Sequence, residues 1–170
     1  MRQKMVGWLL LCALVSVAGI TTSALAGPAA KEKDKSRMTI KLTVQQARRS
    51  GDGWSVKVEI SFSNTGKTPF ALDKLTICHD GTISNNVFDI RQGGKRIEYQ
   101  GEMHKRAHPG PQGFVVVKPG ASHRVVVEVG QAYRFPAAGG DFSIAFDSFN
   151  HFSKDAIQLR SQPATFSLKR

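Results

Sequence analysis

Apolar and polar side chains alternate along much of this chain. Ile40, Leu42 and Val44 are interleaved with Lys41 and Thr43, and Trp54, Val56, Val58, Ile60 and Phe62 with Ser55, Lys57, Glu59 and Ser61. A period of two buries one face of an extended chain and wets the other, so both stretches are predicted as half-buried strands joined by the turn Ser50-Gly51-Asp52-Gly53. After Asn64-Thr65-Gly66-Lys67-Thr68-Pro69, a mostly apolar segment runs from Phe70 to Cys78. Val87–Arg91 and Arg96–Tyr99 flank Gln92-Gly93-Gly94-Lys95 and predict a hairpin. Phe114–Val117 and Arg124–Val129, on either side of Lys118-Pro119-Gly120-Ala121, predict another pair. Asp141–Phe146 and Ala164–Leu168 follow. Asp155–Arg160 is the best short helical candidate, and no segment sustains a helical stripe over more than two turns. Eight or nine short strands punctuated by Gly, Pro and Asn predict an all-β antiparallel sandwich. Trp54 and Phe62 are expected in its core.

The first residues follow another pattern. Arg2 and Lys4 precede an uncharged run from Met5 to Ile20, and Ala24-Leu25-Ala26 ends it. Basic, apolar and Ala-x-Ala regions in that order predict a signal peptide over 1–26, hence an exported protein, periplasmic or secreted. Thr21, Thr22, Ser23 and Pro28 dilute the run below what a spanning helix prefers, so no stable membrane span is expected after cleavage. Residues 27–37 are polar and of mixed charge and predict a flexible leader; residues 38–170 form the sandwich domain.

Composition then sharpens the picture. The chain has 170 residues, 41% apolar and 22% charged, which fits one folded domain and excludes a disordered polyelectrolyte. Its formal charge of +11 falls to +9 once Arg2 and Lys4 leave with the signal. Cys12 leaves too, so Cys78 is the remaining thiol and no internal disulfide is expected. A buried small hydrophobe is the leading expectation for Cys78, ahead of an intermolecular bridge or a reactive or metal-binding thiol.

Candidate chemistry is sparse. Cys78-His79-Asp80 contains nucleophile, base and orienter types, but strand neighbours point to opposite faces and a triad is built by convergence in space. No phosphate loop or distinctive carboxylate pair occurs, so a non-enzymatic protein without a cofactor is expected. The basic residues lack the stripe and stacking platform of a nucleic-acid binder. The unusual stretch is Gly101–Gly113, a long connection carrying His104, Lys105, Arg106 and His108, its end stiffened by Pro109 and Pro111. With Lys95 and Arg96 these side chains are the candidate partner-binding residues. Met103, His104 and His108 are a weak alternative as a metal site, opposed by the intervening cations. His79, His123 and His151 are scattered in sequence and add little.

From Phe88 to Phe146 the order of features resembles a known family. Phe88-Asp89-Ile90, Gly94-Lys95-Arg96-Ile97 with Tyr99 and Gly101, Lys105-Arg106, Pro109, Lys118-Pro119-Gly120-Ala121-Ser122, Val125-Val126-Val127, Ala132-Tyr133 and Gly140-Asp141-Phe142-Ser143-Ile144 resemble the N-terminal domain of deuterolysin-type (aspzincin) zinc metalloendopeptidases. The strand Trp54–Phe62 and Asn64-Thr65-Gly66 fit the same plan. The resemblance implies an immunoglobulin-like pro-domain. No His-Glu-x-x-His occurs, and 24 residues follow Phe146, too few for the family's catalytic domain. The expectation is therefore a stand-alone pro-domain homologue whose partner is a protein, a secreted metalloendopeptidase that it inhibits or helps to fold. A periplasmic metal carrier and an envelope module binding anionic glycan or lipid through its basic surface are the alternatives. Oligomeric state is left open.

Overall fold

The longest alternating runs pair with each other. In a computed structural model that describes residues 38–105, 109–152 and 155–169, β1 (Met38–Ser50) and β2 (Gly53–Asn64) form a hairpin. The predicted signal and leader lie outside the described residues. A bulge at Gln45 shifts the register, so that Val44 opposite Val58 and Ala47 opposite Val56 both turn inward although three positions apart. The inward side chains of β2 from Trp54 to Phe62 are all buried, as the alternation predicts.

The remaining strands are β3 (Phe70–Asp73), β4 (Phe88–Gln92), β5 (Lys95–Arg96), β6 (Phe114–Val117), β7 (Ser122–Glu128), β8 (Gly140–Phe152), β9 (Asp155–Arg160) and β10 (Ala164–Leu168). All pairings are antiparallel. One sheet has the order β1-β2-β7; a second has β10-β8-β4-β5, with β9 also on β8; β3 and β6 form a third, two-stranded sheet. The two larger sheets meet through aromatic side chains. Phe62 of the first packs edge-on against Phe146 of the second at 5.2 Å, and within the second sheet Phe88, registered opposite Phe146, meets it at 5.9 Å. Burying each such ring contributes about 1.5–3 kcal/mol. The result is an antiparallel β-sandwich with no α-helix among the described residues.

Two expectations are corrected. Asp155–Arg160 is not helical: it is β9, with Ala156, Gln158 and Arg160 outward and Leu159 buried against the core. Helix-forming residues yield here to the partner strand that β8 offers. Phe114–Val117 and the strand after it do not pair with each other. β6 pairs with β3 and β7 with β2, so Lys118–Ala121 carries the chain between sheets.

Two polar side chains complete the sheets. Asn150 of β8, fully buried, accepts from the Asp73 N–H at 2.7 Å and donates to the Ala71 carbonyl at 3.0 Å, acting as a surrogate ladder between β8 and β3. Ser161 fills the break between β9 and β10: its N–H donates to the Phe146 carbonyl and its Oγ accepts from the Phe146 N–H, both at 3.0 Å. β9 and β10 thus follow one edge of β8 despite Pro163, which cannot donate to a ladder.

Candidate functional site

The long connection after β5 is tied down at both ends. Tyr99 forms a bridge with Tyr133 and packs edge-on against it at 5.1 Å. The Tyr133 hydroxyl, deep in the core, donates to Asn86 Oδ1 and accepts from the Phe88 N–H. Tyr99 Oη donates to the Glu102 carbonyl at 2.6 Å, and the His104 N–H donates to the Ser84 carbonyl at 3.1 Å. At the far end a 3-10 turn, Pro111–Gly113, leads into β6, and the Lys74 N–H donates to the Gly113 carbonyl.

Held this way, the connection forms one wall of an open groove of about 490 Å³. His104 and Pro109 line that wall. The floor and facing wall are Ser148, Phe149 and His151 of β8, with Asp73, Leu75 and Thr76 at the end of β3 and Asn85 and Val87 ahead of β4. Phe149 is half exposed although it is a large apolar side chain. Asn150, lying between Phe149 and His151, anchors β8 to β3 and so positions two of the lining residues. The groove offers an apolar strip, Phe149 with Pro109 and Leu75, beside the hydrogen-bonding groups of His104, His151 and Asn85. That combination suits an extended segment with one apolar side chain.

The predicted site residues separate into two places. His104 lines the groove, where its Nε2 contacts Glu102 Oε2 at 2.7 Å; both side chains are largely exposed, so the pair is weak. Lys105 follows it and is exposed. Arg106 and His108 lie outside the described residues. Met103 is 74% exposed. Lys95 and Arg96 sit instead on β5, beyond a turn whose Gly93 and Gly94 both have positive φ, as a tight two-residue hairpin requires.

Arg96 faces Asp89 there. Arg91 grips the Asp89 carboxylate with both Nε and Nη2 near 3.0 Å, Arg96 Nε reaches it at 3.1 Å, and Arg160 lies 3.8 Å from Asp89 and 3.2 Å from Asp147. Gln158 donates to Asp147 at 2.7 Å. Three guanidiniums share two carboxylates, which leaves the cluster with a net positive charge. Sequence reading missed Asp89 as its hub; the visible signal was a carboxylate between Phe88 and Ile90 at an outward position, with Arg91 two residues on and Arg96 on the other arm of the predicted hairpin.

Cys78 does not have the environment of a nucleophile. It is buried at φ +55° in the turn after β3, and burial, with Asp80 nearby, pushes its thiol up to about 12. The thiolate that attacks in cysteine chemistry is therefore essentially unpopulated at neutral pH. Among the described residues no three His, Cys, Asp or Glu side chains converge on a common metal position. The histidines that looked scattered are not all apart: His104 and His151 share the groove, and His79 meets His123.

No protein-family model matches the chain. An extracellular protease of Aeromonas hydrophila is 31% identical over 91 residues, 54% of this chain but 25% of that protein, so the chain matches about a quarter of its relative's length. Among solved structures, a protein from Archaeoglobus fulgidus superposes with a TM-score of 0.40 at 11% identity, over 78% of this chain and 97% of the other. No described helix is long and apolar enough to cross a membrane.

Proposed function

We propose that this chain is an exported β-sandwich binding protein whose partner is a secreted zinc metalloendopeptidase, which it inhibits or helps to fold in the manner of a pro-domain. The observation that carries the reading is the partial likeness to an extracellular protease over 91 residues. In this reading the partner inserts an extended segment into the groove walled by His104, Pro109 and Phe149. Lys105, which follows His104 on that wall, and the next residue in sequence, Arg106, would supply charge-assisted hydrogen bonds to acidic groups of the partner. Pro109 and Pro111 limit the backbone freedom that binding has to remove at that end of the connection. Burying the exposed half of Phe149 supplies the apolar anchor.

The test is to mix the purified chain with a secreted zinc endopeptidase of the same cell and follow peptide hydrolysis and refolding yield. Inhibition or assisted refolding by the native chain is expected, weakened at least about tenfold by Phe149→Ala, a loss of roughly 1.4 kcal/mol or more. Lys105→Ala with Arg106→Ala should slow association and reduce its salt dependence. A native chain that neither slows hydrolysis nor raises refolding yield would overturn the proposal. Unchanged behaviour of the Phe149 variant would remove the groove from it.

A further inference from the structure

We propose that His79 and His123 form a site for one borderline divalent cation, copper(II) or zinc, at the β7 edge of the β1-β2-β7 sheet. The two residues are 44 positions apart, yet His79 Nδ1 lies 3.1 Å from His123 Nε2, and the rings stack with centroids 5.1 Å apart and planes 28° from parallel. Imidazole nitrogens bind such ions at about 2.0–2.1 Å, so two nitrogens at this separation subtend about 95–102° at a shared ion. That angle falls between square-planar and tetrahedral coordination. Each ring tilts until its lone pair points to the common position, and the proton now shared between the two nitrogens shifts to the remote nitrogen of the ring that carries it.

Both rings are mounted on ordered backbone. His123 is registered opposite Phe62 in the β2–β7 ladder, on the row that includes buried Val125. His79 closes the turn after β3: its N–H donates to the Lys74 carbonyl at 2.9 Å, and the Gly81 N–H donates to the Cys78 carbonyl at 2.8 Å. Gly81 (φ +83°) lies so near β7 that a Cβ there would come within 3.2 Å of the Val126 carbonyl, which fixes the turn against the strand carrying His123. Ligands already held in place spare the ion the cost of ordering them.

Burial and the neighbouring His79 hold His123 below the usual histidine range. Asp80, whose Oδ1 accepts from the Thr82 N–H, places a carboxylate beside His79, against one cation, Lys74, that lines the same shallow depression. Two protein nitrogens leave the other coordination positions to water or to a side chain of a bound protein.

The test is titration of the purified chain with zinc by calorimetry and with copper(II) by electron paramagnetic resonance. Expected are one ion per chain and a copper spectrum split by two nitrogens. Binding should weaken by at least about tenfold in His79→Gln or in His123→Gln, since even removing a group that merely orients a ligand costs tenfold to a hundredfold. It should be unchanged in the double variant His104→Gln, His108→Gln. Circular dichroism checks that each variant is folded; His79 is on an exposed turn, so His79→Gln keeps the test decisive if the strand variant is unstable. Absence of binding, binding insensitive to both single variants, or binding abolished by the His104 and His108 substitutions would each overturn the proposal.

Discussion

Replacing Asn150 by Leu should destabilise the domain more than its single buried side chain suggests. Leu keeps the branch at Cγ and most of the volume, but it removes both hydrogen bonds that tie β8 to β3, the acceptor for the Asp73 N–H and the donor to the Ala71 carbonyl. Leaving a buried backbone group without its partner costs about 1–3 kcal/mol, so the two together cost about 2–6 kcal/mol. For a domain of this size each kcal/mol lowers Tm by about 3–5 °C, which makes the drop roughly 6–30 °C by calorimetry or circular dichroism. Asn150→Asp separates hydrogen bonding from packing. Ionised, the new carboxylate still accepts from the Asp73 N–H but cannot donate to the Ala71 carbonyl; protonated, it does both. Burial favours the neutral form, so the folded-state pKa of the introduced carboxyl is raised above the unfolded value of about 3.9. A raised folded pKa gives stability that is present below the unfolded pKa and is lost as pH rises through the folded one. The Tm gap between this variant and the native chain should therefore be small near pH 4 and widest at pH 7–8. An Asn150→Leu Tm within about 3 °C of the native value, or a gap for Asn150→Asp that does not change with pH, would refute the surrogate-ladder argument.

Gly139→Ala should be severe, because Gly139 has φ +74° and an added Cβ would lie 2.2 Å from the Leu168 carbonyl, displacing β10. Gly93→Ala, at φ +53° with nothing near, should cost only the left-handed backbone penalty of about 1–2 kcal/mol; equal denaturation midpoints for the two would contradict the close approach. Cys78 should react with an aromatic disulfide reagent only as fast as the chain unfolds at pH 8. Because its thiol is raised from 9.0 to about 12, stability should hold steady below pH 9 and fall as pH climbs from there towards 12, a decline that Cys78→Ala should flatten in alkaline denaturation curves. Asp89→Asn should cost about 1–2 kcal/mol at low salt, less than a fully buried pair, since its arginines are half exposed; in 1 M NaCl the urea midpoints of variant and native chain should draw together.

What could be read in the sequence was whatever repeats within a few residues. Trp54 to Phe62 declares itself because five inward residues recur at every second position, and β2 is buried at all five. Ile157 and Leu159 alternate too, but over six residues that signal is weaker than the helix propensity of Ala, Gln, Leu and Arg, and only β8 as neighbour decides for a strand. Lys118–Ala121 has ideal turn chemistry, yet local chemistry says that the chain reverses and not which strand each arm will join. Asn150 did leave a trace: it continues the inward positions Phe142, Ile144 and Phe146 as a polar residue where an apolar one belongs, the sign of a buried polar role. The groove drew only His104 and Pro109 from the stretch singled out in advance, because Phe149 and His151 arrive from a strand some 45 residues later. His79 and His123 carry no local signal; the turn geometry at Cys78 and the register of β7 bring them together.

The pairing of β2 with β7 also determines when this chain can fold. Ile60 meets Val125, Leu72 meets Val115 and Ile90 meets Ile144, so the β2–β7, β3–β6 and β4–β8 ladders join residues about 40–70 positions apart, the topology of slow folders. As the chain is made or threaded out from its N-terminus, the β1–β2 hairpin can form first, with Val56, Val58, Ile60 and Phe62 bare on one face and an open edge waiting for β7. Until the last third of the chain arrives, that hairpin is an adhesive surface. The period of greatest danger for this molecule is thus an interval in its synthesis, and holding that one hairpin apart from its neighbours is the service it most needs from other proteins.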